Sequence, residues 1–167
     1  MTRIVLIGAP GSGKSTVGKA LAAQLKLKFL DTDLIIANLA KKKISDIFID
    51  DGEEMFRAYE FDTLKTTLTS EHCVISLGGG APISEAAQLE ILKSESQVIF
   101  LDVSLATAAP RVGFNRDRPL LLGNPRAQWQ ALSEARRPIY EKLATITIKV
   151  DGMSAAQIVN SLVKEIG

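Results

Sequence analysis

The sequence predicts an α/β fold with three layers, in which a five-stranded parallel sheet is flanked by helices. Five short apolar segments alternate with longer segments of helical character, and this alternation is typical of a parallel sheet covered on both faces. The chain has 167 residues, of which 46% are hydrophobic, so its size and composition suit one domain with a substantial core. We therefore expect residues 1–167 to form a single domain.

The predicted strands are short runs of apolar residues that end at, or just before, a glycine or an aspartate. They occupy residues 4–7, 28–31, 73–77, 97–102 and 145–150. The predicted helices are the longer segments between and after them, where apolar residues are spaced for one helix face. They occupy residues 15–25, 32–43, 44–52, 53–70, 84–94, 125–143 and 154–165, and a further short helix begins at residue 104.

A glycine-rich segment, "GAPGSGKST", follows the first strand and matches the phosphate-loop pattern. In such a loop, backbone N–H groups surround phosphate oxygens, and the positive end of the next helix dipole points at the same anion. Lys14 adds a full charge, and the Ser15 hydroxyl is placed to bind Mg²⁺ between the outer phosphates. The predicted nucleotide contacts are Gly11, Ser12, Gly13, Lys14, Ser15 and Thr16.

Two aspartates, Asp31 and Asp33, come at the end of the second strand. Ligands of parallel sheets bind beyond the carboxyl ends of the strands, so we expect both carboxylates beside the phosphate loop. One can approach the metal while the other faces the acceptor hydroxyl, as a kinase requires. Capping of the next helix is an alternative for either aspartate. Asp102, at the end of the fourth strand, is an alternative metal-linked carboxylate.

Arginines are concentrated in one part of the chain. Six of the eight lie between residues 111 and 137, a segment without lysine. The guanidinium group binds phosphate and carboxylate in a bidentate manner, so this segregation indicates anion recognition. The six are Arg111, Arg116, Arg118, Arg126, Arg136 and Arg137. The alternative is a solvated helix face, which we expect for Arg126 and for one of Arg136 and Arg137.

Composition excludes several classes of protein. The net charge of +1 gives no overall field to attract nucleic acid or an acidic membrane. No apolar run approaches the roughly 20 residues that span a bilayer, and the start of the chain lacks the apolar segment of a signal peptide. The single cysteine, Cys73, excludes an internal disulfide and fits a reducing compartment. We expect a cytoplasmic monomer whose partners are small molecules, with no nucleic acid and no membrane.

The phosphate loop alone leaves the reaction open. A GTPase of this type would be expected to carry an N-K-x-D motif, and the sequence has none. Motor or transporter ATPases are normally longer and oligomeric. A small-molecule kinase is the simplest interpretation. A kinase for another small acid, such as gluconate, and a nucleotide-binding module without activity are the alternatives.

The motifs resemble those of the shikimate kinase family over nearly the whole chain. They are "GAPGSGKST", "FLDTD", "DGEEMFRAYE", "SLGGGAP", "RPLL" and "EARRPIYEKLA", in this order. The resemblance implies ATP-dependent phosphorylation of the shikimate 3-hydroxyl, on the route to chorismate and the aromatic amino acids, with Mg²⁺ as cofactor. It also implies a nucleoside-monophosphate-kinase-like fold, with a substrate-binding region at about 32–61 and a mobile lid at about 111–125.

The resemblance also implies roles for individual residues. Lys14 would contact the phosphates, and Arg118 would come from the lid to the transferring phosphate. Asp33 would bind the shikimate hydroxyls, while Ser15 and Asp31 would form the Mg²⁺ shell. The substrate carboxylate would bind Arg57 and Arg136, the backbone of Gly78, Gly79 and Gly80 would face the substrate, and Arg111 would stack near the adenine.

Other residues have expected supporting roles. Pro110, just before Arg111, is expected to disturb the helix that carries that arginine. An apolar wall for the substrate is expected from Ile44, Phe48 and Phe56, with core packing as the alternative. Trp129 is interpreted as a packing residue, and Tyr140 as a support for Arg136.

Overall fold

The computed structural model describes residues 2–112 and 124–167. Its centre is a parallel sheet of five strands in the order β2-β3-β1-β4-β5. The strands are β1 (Arg3–Ile7), β2 (Lys28–Asp31), β3 (Cys73–Ser76), β4 (Gln97–Asp102) and β5 (Ile146–Lys149). All five predicted strands are therefore confirmed, with bounds that differ by at most one residue at either end.

Eight helices lie in the described part of the chain. They are α1 (Lys14–Leu25), α2 (Thr32–Ala40), α3 (Ile44–Asp50), α4 (Gly52–Thr67), α5 (Glu85–Lys93), α6 (Leu105–Val112), α7 (Pro125–Leu143) and α8 (Ala155–Ile166). The predicted helix at 32–43 is too long, because Lys41 adopts a left-handed conformation with φ of 55° and ends α2 at Ala40. Pro110 is accommodated inside α6 and is exposed.

Side chains of the central strand alternate between two apolar layers. Ile4 and Leu6 belong to one cluster, which includes residues of α1 and α8, and Val5 and Ile7 belong to another, which includes residues of α4, α5 and α7. All four are at most 1% exposed. The period of two that places successive side chains on opposite faces thus gives the three layers expected of this fold class.

Helices α2, α3 and α4 form a smaller unit with its own apolar centre. Ile36, Ile47 and Phe56 are buried there, and Ile44 and Phe48 pack against them. The rings of Phe48 and Phe56 are 4.5 Å apart between centroids. The alternative of core packing is therefore the role that the structure gives Ile44, Phe48 and Phe56.

The strand order brings three chain segments to one edge of the sheet. The last residue of β2, Asp31, pairs with Ser76 at the end of β3, and Ser76 pairs with Leu6 near the end of β1. The segments that follow these strands therefore start side by side, as expected for a ligand site at the carboxyl ends of parallel strands. Among the described residues, no helix has the length and apolar character needed to cross a membrane.

Candidate active site

The phosphate loop, residues 8–15, curls around the side chain of its own lysine. Lys14 Nζ donates hydrogen bonds to the carbonyl oxygens of Gly8 at 2.8 Å and Ala9 at 3.2 Å. Gly13 caps α1 with φ of 92°, a conformation that glycine adopts without steric cost. The loop therefore leads directly into the amino-terminal turn of α1, where unpaired N–H groups can bind an anion.

Burial changes the acid strength of the loop lysine. Lys14 is only 9% exposed, and this burial lowers the pKa of its ammonium group from 10.5 to about 8. The carboxylates of Asp33 and Asp31 act in the opposite direction and favour the charged form. A bound phosphate would favour it further, so the site is built to bind an anion here.

Asp31 connects the phosphate loop to α2. Its Oδ2 accepts a hydrogen bond of 2.6 Å from the Ser15 hydroxyl, and its Oδ1 accepts from the backbone N–H groups of Asp33 and Leu34. Asp31 is thus both the helix cap considered as an alternative and a partner of Ser15. The Asp31 carboxylate and the Ser15 hydroxyl are oxygen ligands, which Mg²⁺ prefers.

Asp102, the alternative metal-linked carboxylate, has a different partner. Its two oxygens accept from Arg137 Nη1 at 2.8 Å and Nη2 at 2.5 Å, which is a bidentate ion pair. Arg137 is therefore not simply a solvated residue of α7, whereas Arg126 is exposed as expected. The guanidinium neutralises Asp102 and makes it a poorer metal ligand than Asp31.

The glycine loop, residues 77–81, lies against charged side chains from separate helices. A Cβ atom at Gly78 would lie 2.7 Å from Asp33 Oδ1, and one at Gly80 would lie 2.5 Å from Arg57 Nη1. Cβ atoms do not come this close to other heavy atoms, so glycine is required for the observed side-chain positions.

The middle residue of this loop, Gly79, has two partners on α7. A Cβ atom there would lie 3.2 Å from Arg136 Nη1, and the Tyr140 hydroxyl donates a hydrogen bond of 2.7 Å to the Gly79 carbonyl oxygen. Tyr140 also interacts with Arg136 through its hydroxyl, which agrees with the supporting role expected for it. The structure thus gathers Asp33 of α2, Arg57 of α4 and Arg136 of α7 around three consecutive glycines.

Asp33 lies between the phosphate loop and the two arginines, Arg57 and Arg136. Its pKa is raised, chiefly by burial and further by the Asp31 carboxylate, while Lys14 and Arg57 oppose the shift. A partly buried carboxylate with a raised pKa is a better proton acceptor than an ordinary surface aspartate. The geometry therefore places a potential base between the phosphate loop and the arginines.

Two residues of this region were missed in the sequence. Glu60 is 5% exposed, and its Oε1 accepts a hydrogen bond of 2.7 Å from Arg57 Nη1. Burial raises the pKa of Glu60, and Arg57 opposes the shift. Thr32 accepts a hydrogen bond from Gly78 N at 3.1 Å and donates to the carbonyl of Ser76. The three-residue spacing of Arg57 and Glu60 on one helix is the signal that could have revealed the pair.

The predicted residues line two neighbouring cavities. The larger, about 580 Å³, is lined by all six residues that are predicted to contact the nucleotide. Arg111, Asp31, Asp33, Gly78 and Gly79 line it as well. The smaller, about 300 Å³, is lined by Arg57, Glu60, Phe61, Gly80, Ala81, Ile83, Ser84 and Arg136. Its apolar lining residues are Phe61, Ala81 and Ile83. Ile44, Phe48 and Phe56 line neither of the two cavities, and their expected contact with the substrate stays a prediction.

Arg111 lies over the phosphate loop, where its Nη1 donates a hydrogen bond of 3.1 Å to the Gly11 carbonyl oxygen. The predicted lid at 111–125 overlaps α6 at Arg111 and α7 at Pro125. Residues 113–123, and with them Arg118, lie outside the described residues.

In a parallel α/β fold, a phosphate loop and a carboxylate line one cavity and two arginines line its neighbour. Fold and site together define a small-molecule phosphotransferase of the phosphate-loop kinase class. A family model for shikimate kinase matches residues 10–167. The shikimate kinase of Thermobifida fusca is 46% identical over 162 residues, which cover 97% of this chain and 93% of that protein. The chain belongs to the shikimate kinase family.

Solved structures give the same result. The shikimate kinase of Acinetobacter baumannii, in complex with shikimate, superposes with a TM-score of 0.93 at 29% identity, covering 99% of this chain and 93% of that one. The shikimate kinase of Aquifex aeolicus superposes with a TM-score of 0.85 at 36% identity, covering 99% and 96%. The fold class and the family that the motifs predicted are confirmed.

Proposed function

We propose that the protein transfers the γ-phosphoryl group of ATP to the 3-hydroxyl of shikimate, forming shikimate 3-phosphate and ADP. The observation that carries this proposal is the arrangement of Asp33, Arg57 and Arg136 around the glycine loop, beside the phosphate loop. Shikimate has one carboxylate and three hydroxyls. Two arginines suit the carboxylate, and an aspartate suits the hydroxyls.

On the donor side, the phosphate loop binds the phosphates through its N–H groups and the Lys14 ammonium. Arg111 extends over the nucleotide end of the larger cavity and is proposed to stack near the adenine. From the resemblance, Arg118 is proposed to reach the transferring phosphate. A closing lid there would exclude water and so limit hydrolysis of ATP.

On the acceptor side, Arg57 and Arg136 bind the carboxylate and fix the ring. Asp33 orients the 3-hydroxyl and accepts its proton as the oxygen bonds to phosphorus. Because phosphoryl transfer has a loose transition state, most of the rate enhancement comes from this positioning and from electrostatic stabilisation.

Ser15 and Asp31 are the residues that would bind Mg²⁺. Both offer oxygen, and the contact of 2.6 Å between them brings two hard ligands together at the edge of the phosphate loop. When bound, Mg²⁺ supplies charge neutralisation to the phosphates. A monomeric state and a cytoplasmic location stay predictions.

The test is to follow ADP release with ATP alone, with shikimate and with gluconate, and to identify the phosphorylated position by ³¹P and ¹H NMR. We expect turnover with shikimate only and a phosphate on its 3-oxygen. Equal turnover with gluconate, or ATP binding without turnover of either acid, would contradict the proposal.

A further inference from the structure

Helix α7 contacts both loops of the site through aromatic side chains that donate hydrogen bonds. Near its start, Trp129 Nε1 donates to the Pro10 carbonyl oxygen of the phosphate loop at 2.9 Å. Near its end, the Tyr140 hydroxyl donates to the Gly79 carbonyl oxygen of the glycine loop at 2.7 Å. One helix is therefore bonded to the phosphate loop and to the glycine loop.

The Trp129 contact has more than a packing role. The side chain is 7% exposed and belongs to the apolar cluster that contains Ala9 of the phosphate loop and Ala108 of α6. Burial of the ring explains packing, but it leaves the indole N–H needing an acceptor, since this group can only donate. The acceptor is a backbone atom of the phosphate loop, so the bond fixes the loop itself.

The two loops also touch each other between these anchors. A Cβ atom at Gly79 would lie 3.3 Å from Pro10 Cδ and 3.5 Å from the Gly8 carbonyl oxygen. Trp129 and Tyr140 are separated by 11 residues, a distance of about 16 Å along a helix with a rise of 1.5 Å per residue. The helix therefore runs past the contact between the phosphate loop and the glycine loop, and it is hydrogen-bonded to one of these loops near each end.

We propose that Trp129 is a positioning residue, which acts through Pro10 to fix the phosphate loop relative to the acceptor site, with Tyr140 as its counterpart on the glycine loop. This inference rests on the proposed function for its acceptor half. Its nucleotide half does not, because ADP binding can be measured whatever the acceptor is.

Substitutions of Trp129 and Tyr140 are predicted to change different constants, those of the nucleotide and of shikimate respectively. Trp129→Phe keeps an aromatic ring but removes the N–H, so ADP Kd and ATP KM should rise about fivefold, the effect of one lost neutral hydrogen bond. Shikimate KM should stay within about twofold of the wild-type value on the same scale. Tyr140→Phe should raise shikimate KM and leave ADP Kd unchanged, because its hydroxyl contacts the Gly79 carbonyl oxygen and Arg136, and neither residue is a predicted nucleotide contact.

A matched control removes a hydrogen bond of α7 that touches neither loop. Lys142 Nζ donates to Gln88 Oε1 of α5 at 3.4 Å, so Lys142→Met should change neither constant. Calorimetric ADP titration, steady-state kinetics and melting temperature are measured for all three variants.

The tryptophan is the only one in the chain, which allows a test at the level of a single atom. Growth of a tryptophan auxotroph on the benzothienyl analogue, in which sulfur replaces the ring N–H, changes position 129 alone. We expect the analogue to reproduce the rise in ADP Kd. If Trp129→Phe does not fold, the analogue alone tests whether the indole N–H affects ADP binding.

Two results would overturn the proposal. One is an ADP Kd within about twofold of wild type for the benzothienyl protein, a change smaller than one hydrogen bond contributes. The other is a rise of both constants together in every variant, in proportion to the loss of melting temperature, which would indicate general loosening. Absence of shikimate turnover in the wild type would instead refute the proposed function and leave the ADP measurement valid.

Discussion

The donor and acceptor halves of the site are built in different ways. The donor half is one continuous segment, residues 8–15, whose backbone surrounds its own lysine. The acceptor half is assembled from Asp33, Arg57 and Arg136, which belong to three helices and meet at the glycine loop. In the proposed function, backbone groups of one segment bind one ligand, and side chains from distant segments bind the other.

This difference determines what each half needs from the rest of the protein. The phosphate loop is fixed by its own hydrogen bonds and by a few contacts at its edges. The arginines of the acceptor half are long side chains with much rotamer freedom, and they need partners such as Glu60 and Tyr140 to fix them. Substitutions in the two halves should therefore change different kinetic constants.

The largest effect is expected on the donor side. Lys14→Ala removes the charge that is proposed to contact the phosphates, so kcat/KM for ATP should fall on the order of 10³-fold. Lys19→Ala, which changes an exposed lysine of α1, is the matched control. Steady-state kinetics with varied ATP, together with circular dichroism to verify folding, checks this. A turnover within about threefold of wild type would contradict the role of the loop lysine.

Asp33 is the residue of the acceptor half that lies beside the phosphate loop, and its substitution tests the boundary between the two halves. Asp33→Asn keeps the shape but loses the negative charge and the proton acceptor, so kcat should fall by about 10²-fold. The KM for ATP should change much less. Single-turnover measurements separate the chemical step from binding. A normal kcat across the accessible pH range would rule out Asp33 as base and as orienting group.

The arginines provide the sharpest test of the division. Arg57→Ala and Arg136→Ala should each raise shikimate KM roughly 30-fold, about 2 kcal/mol for a charged hydrogen-bonded contact. ADP Kd should not change, and Arg126→Ala, on the exposed side of α7, should change neither constant. If ADP binding weakens and shikimate binding does not, the arginines have been placed at the wrong end of the site.

A smaller effect is expected from Glu60, which acts through Arg57. Glu60→Gln should raise shikimate KM about fivefold at neutral pH, because one charge-assisted hydrogen bond becomes a neutral one. The raised pKa of Glu60 means that acid protonates it at a higher pH than an ordinary glutamate. Wild-type shikimate KM should therefore rise on acidification and approach that of the variant, whose own profile lacks this step. Parallel profiles for the two proteins would refute the role of Glu60.

The same contrast explains how much the sequence could predict. All five strands and the phosphate loop were predictable, because the signals of each are local and contiguous. An aspartate facing the acceptor was expected from the position of Asp31 and Asp33 after a strand, whereas the carboxylate-binding roles of Arg57 and Arg136 came from the family resemblance.

Of the supporting contacts, that of Tyr140 with Arg136 was expected. The Arg57–Glu60 pair was not, because Glu60 has no motif of its own, and neither was the Trp129–Pro10 contact, which joins segments far apart in the chain. Asp31 and Asp102 both end a strand, and only the fold shows that Arg137 pairs with Asp102.

The three consecutive glycines have a consequence for inhibitor resistance. Any substitution adds a Cβ, and at Gly78 and Gly80 that atom would meet the ends of Asp33 and Arg57. These side-chain ends can swing aside, so such a mutant would fold but would displace the two groups that are proposed to bind the acceptor. An inhibitor that binds the backbone of this loop therefore leaves the enzyme no escape mutation at those glycines that also preserves activity. Resistance would have to arise elsewhere, at positions where a larger side chain displaces no group needed for the reaction.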